Sequence, residues 1–460
     1  MKLIGGFLKI LLLAVIAGFI FSLWSVHRFL KTDLQFSVIN WSEFLYYKEK
    51  REDTFNYKKL GTIFGIKNNF IQEKKDFIEA NLGEMVLSLY KGGEVVKTYP
   101  ILVKGKESNW GETASGLFKI KRMRRVAFSN LGDVYMPWWM EFWGNYSIHG
   151  MPYYPGGEEA QRTFSSGCIN LKTEDAEELY NLVGIGTSVL VLDKDFENDN
   201  FDYSFLGDVP TLPNVGAEAY LVADLKNGYV FSKKNENEIL PVASVTKLVT
   251  AVTASENLVL AFDPDKTTKV LISPEMLLPI GSTPGITAGK KFTYFDLLYP
   301  LLMYSSNDAA ESLAIRYGKE EFIGLMNQRV QSLSMMNTKL VDSYGYDPGN
   351  VSTASDLFSL ARYLLDSRSW LLNITKGKIY EDFGEITLGN LKNFNLFYDD
   401  PSFVGGKVGA TPIARKTGVF IFDLEVKGEE RPVAIIILKS EDNKKDTEEI
   451  LNWLRENLNN

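Results

Sequence analysis

The chain opens on one long apolar block and then breaks into strand-length runs. Lys2 and Lys9 precede an uncharged stretch from Ile10 to Val26, and His27, Arg28 and Lys31 follow it. With Ile4 to Leu8 ahead of Lys9, whose aliphatic stem can snorkel, the block is long enough to span a bilayer. It closes on Phe21-Ser-Leu-Trp-Ser25, which lacks the small residues of a cleavable signal-peptide site. The expectation is a single-pass transmembrane signal anchor over 1–31, placing the rest on the extracytoplasmic side of the cell membrane. A buried core helix is the bland alternative. Residues 32–81 are rich in Lys, Glu and aromatics without turn clusters, and read as a partly helical stalk or accessory segment.

From residue 82 the pattern is mostly β. Met85 to Tyr90 and Val95 to Val103 flank Gly92-Gly93 as a hairpin, and a further strand covers Gly116 to Ile120. An aromatic stretch, Met136-Pro-Trp-Trp-Met140, leads to Tyr146-Ser-Ile-His149-Gly150. A Gly/Pro loop then reaches Phe164-Ser-Ser-Gly-Cys168-Ile-Asn-Leu171. Thr173-Glu-Asp reads as a helix N-cap with acids in the first turn, and Gly186 to Leu192 as the closing strand. The unit spans 82–193. Residues 194–213 are acidic and Asn-rich, stiffened by Pro210 and Pro213, and read as a linker. In 214–460 a second hairpin, Ala219–Asp224 and Tyr229–Phe231 around Asn227-Gly228, precedes apolar helices such as Phe295 to Met303. A strand from Val433 to Leu438 and a helix from Thr447 to Leu458 end the chain.

Composition narrows the chemistry. The 460 residues are 45% hydrophobic and 23% charged, which is globular and long enough for two or three cores. A net charge of −8 argues against a nucleic-acid partner, which needs clustered cations. One cysteine and two histidines exclude an intrachain disulfide and leave too few ligands for a structural Cys/His zinc site. No metal and no cofactor are expected.

Cys168 sits in a Ser/Gly turn, with His149 beside a glycine upstream. A lone cysteine is ordinarily a small buried hydrophobe, and a lone histidine a satisfied core residue. The chemical alternative is a thiolate activated by imidazole, with the N–H groups of Gly167 and Cys168 facing a developing oxyanion. In the last domain Ser244 and Lys247 stand at i and i+3, on one face of a helix. A lysine can take a serine's proton only if burial or a neighbouring cation lowers its pKa. By itself Ser-x-x-Lys is a weak signal.

Two resemblances sharpen these readings. His149-Gly150 followed by Ser165-Ser-Gly-Cys-Ile-Asn170, with Thr113-Ala-Ser-Gly-Leu-Phe118 upstream, resembles the L,D-transpeptidases of peptidoglycan. That implies a β-sandwich-like domain, Cys168 as nucleophile, His149 as base, and the Gly150 carbonyl orienting the imidazole. The family often has His at Ser166 and Arg at Asn170, so donor recognition departs from the pattern here. Ser244-x-x-Lys247, then Ser305-Ser-Asn307, then Lys407-Val-Gly409, is similar to the serine penicillin-binding and β-lactamase arrangement, in detail to D-alanyl-D-alanine carboxypeptidases. That resemblance implies an α/β (α+β) fold with an antiparallel sheet. Ser244 would form the acyl-enzyme and Lys247 accept its proton. Ser305 and Asn307 would assist proton transfer and hold the substrate amide, and Lys407, with Gly409 and Thr411, would bind the terminal carboxylate. A literal Lys416-Thr417-Gly418 competes, but Phe397-Tyr-Asp-Asp and Val404-Gly-Gly before Lys407 match the family's approach to this strand.

Together the resemblances imply a bifunctional peptidoglycan enzyme. Its partners would be stem peptides and, through the N-terminal helix, the membrane, with β-lactams as inhibitors. One site would trim pentapeptide stems to tetrapeptides and the other would cross-link them, tethering raising the effective concentration of the intermediate. The alternatives are a wall-binding or regulatory protein with degenerate sites, and a β-lactamase.

Overall fold

The computed structural model describes residues 63–106, 111–130, 132–144, 146–193, 199, 201–203, 214–257, 269–380 and 386–458. The expected anchor over 1–31 and most of the expected stalk lie outside them. Among the described residues no helix is long and apolar enough to cross a membrane.

Residues 32–81 read as a stalk, yet their last part is integral to the first domain. Helix α1 (Ile63–Gln72) leads into β1 (Phe77–Asn81), a central strand of the sheet. β1 pairs antiparallel with β2 (Val86–Lys91), which pairs with β3 (Glu94–Pro100). Its other edge pairs in parallel with β9 (Ser188–Leu192), and β9 in turn with β4 (Gly116–Lys119). The strand escapes a pattern search because Glu79 interrupts its apolar run. That buried carboxylate accepts from Lys67 Nζ at 2.6 Å and from the Tyr90 hydroxyl at 2.9 Å, which makes its burial tolerable.

A second sheet runs β5 (Arg122–Ser129), β6 (Val134–Trp143), β7 (Tyr146–His149) and β8 (Ile169–Asn170). Leu87, Leu89, Val189 and Val191 meet Met140, Phe142 and Ile148 in one core, so the two sheets pack face to face. Helix α2 (Thr173–Leu182) follows β8. Lys172, not Thr173, holds its N-cap position, and no side chain caps it; Glu174 and Asp175 occupy the first turn.

The second domain is built on an antiparallel sheet ordered β11-β10-β18-β17-β16. Its strands are β10 (Ala219–Asp224), β11 (Val230–Lys234), β16 (Phe403–Thr411), β17 (Arg415–Val426) and β18 (Glu429–Ser440). Two-residue strands β12 (Leu240–Pro241) with β15 (Val351–Ser352), and β13 (Val270–Leu271) with β14 (Lys291–Phe292), fasten the loops. One face of the large sheet packs on a helical layer: α3 (Thr246–Asn257), α4 (Tyr294–Tyr299), α5 (Asn307–Tyr317), α6 (Lys319–Ser332), α7 (Ala354–Ser367) and α8 (Ser369–Thr375). The other face is covered by α9 (Asn443–Asn457) through Ile450, Leu451 and Leu454.

Part of the expected linker is not solvated. Tyr203 packs against Tyr229 and Phe231, Phe201 packs edge-on against Tyr203, and the Tyr203 hydroxyl donates to Asp224 at 2.5 Å. Arg431 ion-pairs Asp224 at 2.5 Å and Asp199 at 2.6 Å, pinning this segment to the end of the β10–β18 pair.

Candidate active sites

The cysteine site is set by strand register. β7 and β8 run parallel with Ile148 opposite Ile169 and His149 opposite Asn170. Strand alternation therefore sends Ser147, His149, Cys168 and Asn170 to one face, while Ile148 and Ile169 fill the core on the other. Ser147 Oγ lies 3.3 Å from Cys168 Sγ. His149 is buried, and its Nδ1 is 2.7 Å from the Gly150 carbonyl. A carbonyl can only accept, so Nδ1 carries the proton and Nε2 is the bare nitrogen a base requires.

Burial holds both partners neutral at rest. It lowers the His149 pKa to about 4, against the stabilising Gly150 carbonyl, and it raises the Cys168 thiol above its ordinary value despite the opposing Ser147 hydrogen bond. Thiol and imidazole are thus both neutral at rest, so a thiolate forms there only by losing its proton to a base.

Gly167 is required by both geometry and space. Its φ is +112°, and a Cβ would stand 1.9 Å from Tyr146 Cε1. Its N–H already donates to Ser165 Oγ at 3.1 Å, and Ser165 in turn donates to the Cys168 carbonyl at 2.6 Å. The Gly167 amide, expected to face an oxyanion, is therefore spent inside the turn. Gly167→Ala is expected to strain the turn by about 3 kcal/mol and to lower acylation of Cys168 by a carbapenem about 100-fold. Mass-spectrometric adduct kinetics measure it; unchanged kinetics would remove the glycine's role. Asn170, also buried, keeps its Oδ1 without a hydrogen-bond partner among the described residues.

In the second domain, Ser244 lies on a 3-10 turn (Ala243–Val245) that runs into α3, and Lys247 is in the first turn of that helix. Ala243 just before it has φ +47°, a strained conformation at the point where the turn must present Ser244. Lys247 Nζ donates to Ser244 Oγ at 2.8 Å and to the Tyr344 carbonyl at 2.7 Å, and the side chain is fully buried. Burial drives its pKa well below the ordinary lysine value, Lys407 adds to that, and Asp342 opposes. The amine is thereby made a credible proton acceptor for the serine.

β16 is the edge strand, and it packs on the turn bearing Ser244: a Cβ at Gly409 would meet Ser244 N at 2.8 Å. Lys407 is two residues back on the same face, fully buried, donating to the Val408 carbonyl at 3.0 Å. Burial lowers its pKa to about 7, so a bound carboxylate would restore its charge. Lys416 instead opens β17, is half exposed and pairs with Asp442 at 3.6 Å. The structure thus brings Lys407, not Lys416, beside Ser244. Thr417, opposite Gly409, donates to the Val242 carbonyl at 3.0 Å and braces the serine turn.

Ser305 closes a π-helical turn (Pro300–Tyr304) at φ +62°, and Asn307 opens α5 with Nδ2 on the Ile280 carbonyl at 2.7 Å. Among the described residues neither makes a hydrogen bond to Ser244 or Lys247. Thr411 accepts the Ala414 N–H at 3.1 Å, so its hydroxyl holds the β16–β17 turn rather than reaching the serine. Ser147 and Tyr344 were missed by the sequence reading. Strand alternation from His149 could have flagged Ser147; nothing local marks Tyr344, whose loop is far from Lys247 in sequence.

The two constellations define a thiol acyltransferase-type site and a Ser/Lys acyl-enzyme site on one chain. Residues 75–191 match the L,D-transpeptidase catalytic domain, and residues 208–438, half of the chain, match the D-alanyl-D-alanine carboxypeptidase family. The chain belongs to the D-alanyl-D-alanine carboxypeptidase family and carries an L,D-transpeptidase domain before it. D-alanyl-D-alanine carboxypeptidase DacB2 of Mycobacterium tuberculosis is 31% identical over 46% of this chain and 72% of its own length. A D-alanyl-D-alanine endopeptidase of Pseudomonas aeruginosa is 33% identical over 36% of this chain; the match spans about half, 51%, of that relative. A crystal structure of a D-alanyl-D-alanine carboxypeptidase from Mycobacterium tuberculosis H37Rv aligns at 25% identity over 55% of this chain and 95% of that one, with a TM-score of 0.45.

Proposed function

We propose that the protein processes peptidoglycan stem peptides in two steps. Ser244, deprotonated by Lys247, attacks the carbonyl of the fourth-position D-Ala of a pentapeptide stem. The D-Ala–D-Ala amide bond breaks, and the terminal D-Ala leaves as the amine, taking the proton from Lys247. Water then releases a tetrapeptide. Cys168, passing its proton to His149 Nε2, attacks the carbonyl of the third, L-configured centre. The fourth-position D-Ala leaves, and the acyl group passes to another stem's amine. The observation that carries this reading is the 2.8 Å hydrogen bond from buried Lys247 to Ser244, supported in the other domain by a His149 tautomer that the Gly150 carbonyl fixes with Nε2 unprotonated.

Gly150, Ser147 and the Cys168 N–H serve orientation and charge at the thiol site. Lys407 and the Gly409 edge receive the terminal carboxylate, while Ser305 and Asn307 assist proton transfer and hold the substrate amide. The apolar block over 1–31 anchors the protein, with both sites on the wall side of the membrane. β-Lactams acylate Ser244, and thiol-reactive carbapenems acylate Cys168. Because relatives include endopeptidases, cleavage of D,D-linked dimers at Ser244 is a second reading.

The test is mass spectrometry of stem peptides after the protein meets pentapeptide muropeptides and D,D-linked dimers, beside Cys168→Ala and Ser244→Ala. The expected result is tetrapeptide followed by L,D-linked dimers. Ser244→Ala should block trimming, and Cys168→Ala should stop at tetrapeptide. Conversion of D,D-dimers alone selects the endopeptidase reading, and stem binding without products replaces both with a wall-binding protein. Repeated turnover of penicillin points to a β-lactamase.

A further inference from the structure

The two domains share a buried charge cluster that no catalytic step uses. Glu256 at the end of α3, Arg329 on α6 and Arg368 between α7 and α8 are all fully buried. Glu256 ion-pairs Arg329 at 2.9 Å and Arg368 at 3.2 Å, and accepts from the Tyr363 hydroxyl at 2.5 Å. The first domain inserts into this cluster: Trp143 Nε1 donates to Glu256 at 2.7 Å, and Arg329 donates to the Ser115 carbonyl at 3.0 Å. Ser115 and Ser367 hydroxyls lie 3.1 Å apart, and Ser367 reaches Asp193 at 3.0 Å.

One arm of the cluster points at the cysteine. Arg368 donates through Nη2 to the Tyr146 hydroxyl at 3.2 Å. Tyr146 is the first residue of β7, and its buried ring occupies the space beside Gly167 where any Cβ would collide at 1.9 Å. Gly167 immediately precedes Cys168, and β7 carries Ser147 and His149. We propose that Arg368 of the serine domain is a positioning residue for the cysteine site, holding the Cys168 turn through the Tyr146 ring, so that the thiol site is complete only when the two domains are docked.

The physical argument is one of leverage. A tyrosine ring held only by packing can shift along the strand, whereas a hydroxyl held by a buried guanidinium cannot move without breaking a charge-assisted hydrogen bond where no water replaces it. A glycine turn at positive φ has no side chain of its own to fix it, so its position is set by what it leans on. Here that is Tyr146. A small displacement of the turn moves Sγ relative to Ser147 and His149, and acyl transfer is sensitive to such displacements.

The inference rests on Cys168 being the nucleophile proposed above, and its test separates the two because Cys168 is the chain's one cysteine. In the full-length protein, Tyr146→Phe keeps the ring and removes the hydroxyl. Arg368→Lys keeps a charge for Glu256 but cannot span Glu256, Ser367 and Tyr146 with one ammonium. Two rates are read for each variant: alkylation of Cys168 by iodoacetamide and acylation of Cys168 by a carbapenem. The expected result is opposite movement, alkylation rising as the freed turn exposes the thiol and acylation falling about tenfold as its geometry is lost. Penicillin acylation of Ser244 should stay within twofold. The double variant should be no worse than either single one, since both cut the same connection. Alkylation and acylation both unchanged in Tyr146→Phe would overturn the proposal, as would additive losses in the double variant. If the wild type alkylates but is never acylated, the nucleophile reading fails, while the alkylation rates of the variants still decide whether Arg368 holds the turn.

Discussion

Replacing Lys247 with methionine is expected to slow acylation of Ser244 by a fluorescent penicillin about a thousandfold, the scale on which a positioned general base acts. Methionine fills most of the lysine's buried volume, so the fold should survive and the loss should be chemical. The pH profile carries the more specific expectation. Lys247 is a fully buried amine whose pKa lies well below the ordinary lysine value, chiefly through burial and secondarily through Lys407. Lowering pH protonates it and removes the base, so the wild-type rate should fall as pH drops through that depressed pKa. Raising pH should bring a plateau well before the ordinary lysine range. A rate that climbs steadily to pH 10, or a methionine variant that acylates normally, would show that something other than Lys247 takes the proton.

Glu256→Ala should produce the largest loss of stability. The carboxylate is the counter-ion of two guanidinium groups with no access to solvent, Arg329 and Arg368. Removing it leaves two buried like charges facing each other and orphans the Trp143 and Tyr363 donors. Breaking a buried pair in this way costs about 3–5 kcal/mol. Urea unfolding followed by tryptophan fluorescence measures it. Because Glu256 joins both domains, the penicillin-acylated and carbapenem-acylated fractions should disappear together along the denaturant axis. Two separated transitions, with the serine domain alone shifted, would mean that the domains unfold as independent beads on a tether. In that case the cluster would be a feature of one core only.

The buried interface also changes how the two proposed activities relate. A flexible tether raises effective concentration and leaves each site indifferent to the other. The arrangement here is different in kind. Ser115, Trp143 and Tyr146 of the first domain hydrogen-bond groups of Glu256, Arg329, Ser367 and Arg368 in the second, so the relative placement of the sites is fixed by directional bonds. The intermediate must diffuse between sites that do not move independently.

How much of this was legible in the sequence varies with the range of the interaction. The candidate nucleophiles and bases were legible as candidates because residue type at short spacing is a local signal. Ser244 and Lys247 fall three residues apart on a turn entering a helix, and glycine must precede Cys168 because the turn requires positive φ. Lys407 could be preferred over Lys416 from its flanking residues, and the register shows why: β16 is the edge strand against Ser244, while Lys416 begins the inner strand. The hairpins and the last helix were also legible, since apolar alternation and turn glycines are local signals.

Other features were decided only by tertiary contact. β1 looked like stalk because Glu79 breaks its apolar pattern, and only the distant Lys67 and Tyr90 make that carboxylate compatible with the sheet. Phe201 and Tyr203 looked like linker because their packing partners lie in another sheet edge. The Gly167 amide looked available until Ser165 was seen to occupy it. The depressed pKa of Lys247 needs the burial supplied by the folded core and the charge of Lys407, far along the chain. Residue type and short spacing determined which groups could react. The tertiary structure decided which of them are buried, which are already engaged, and that a guanidinium from one domain reaches the Tyr146 hydroxyl of the other. Desolvation and long-range hydrogen bonding depend on neighbours that sequence adjacency does not reveal.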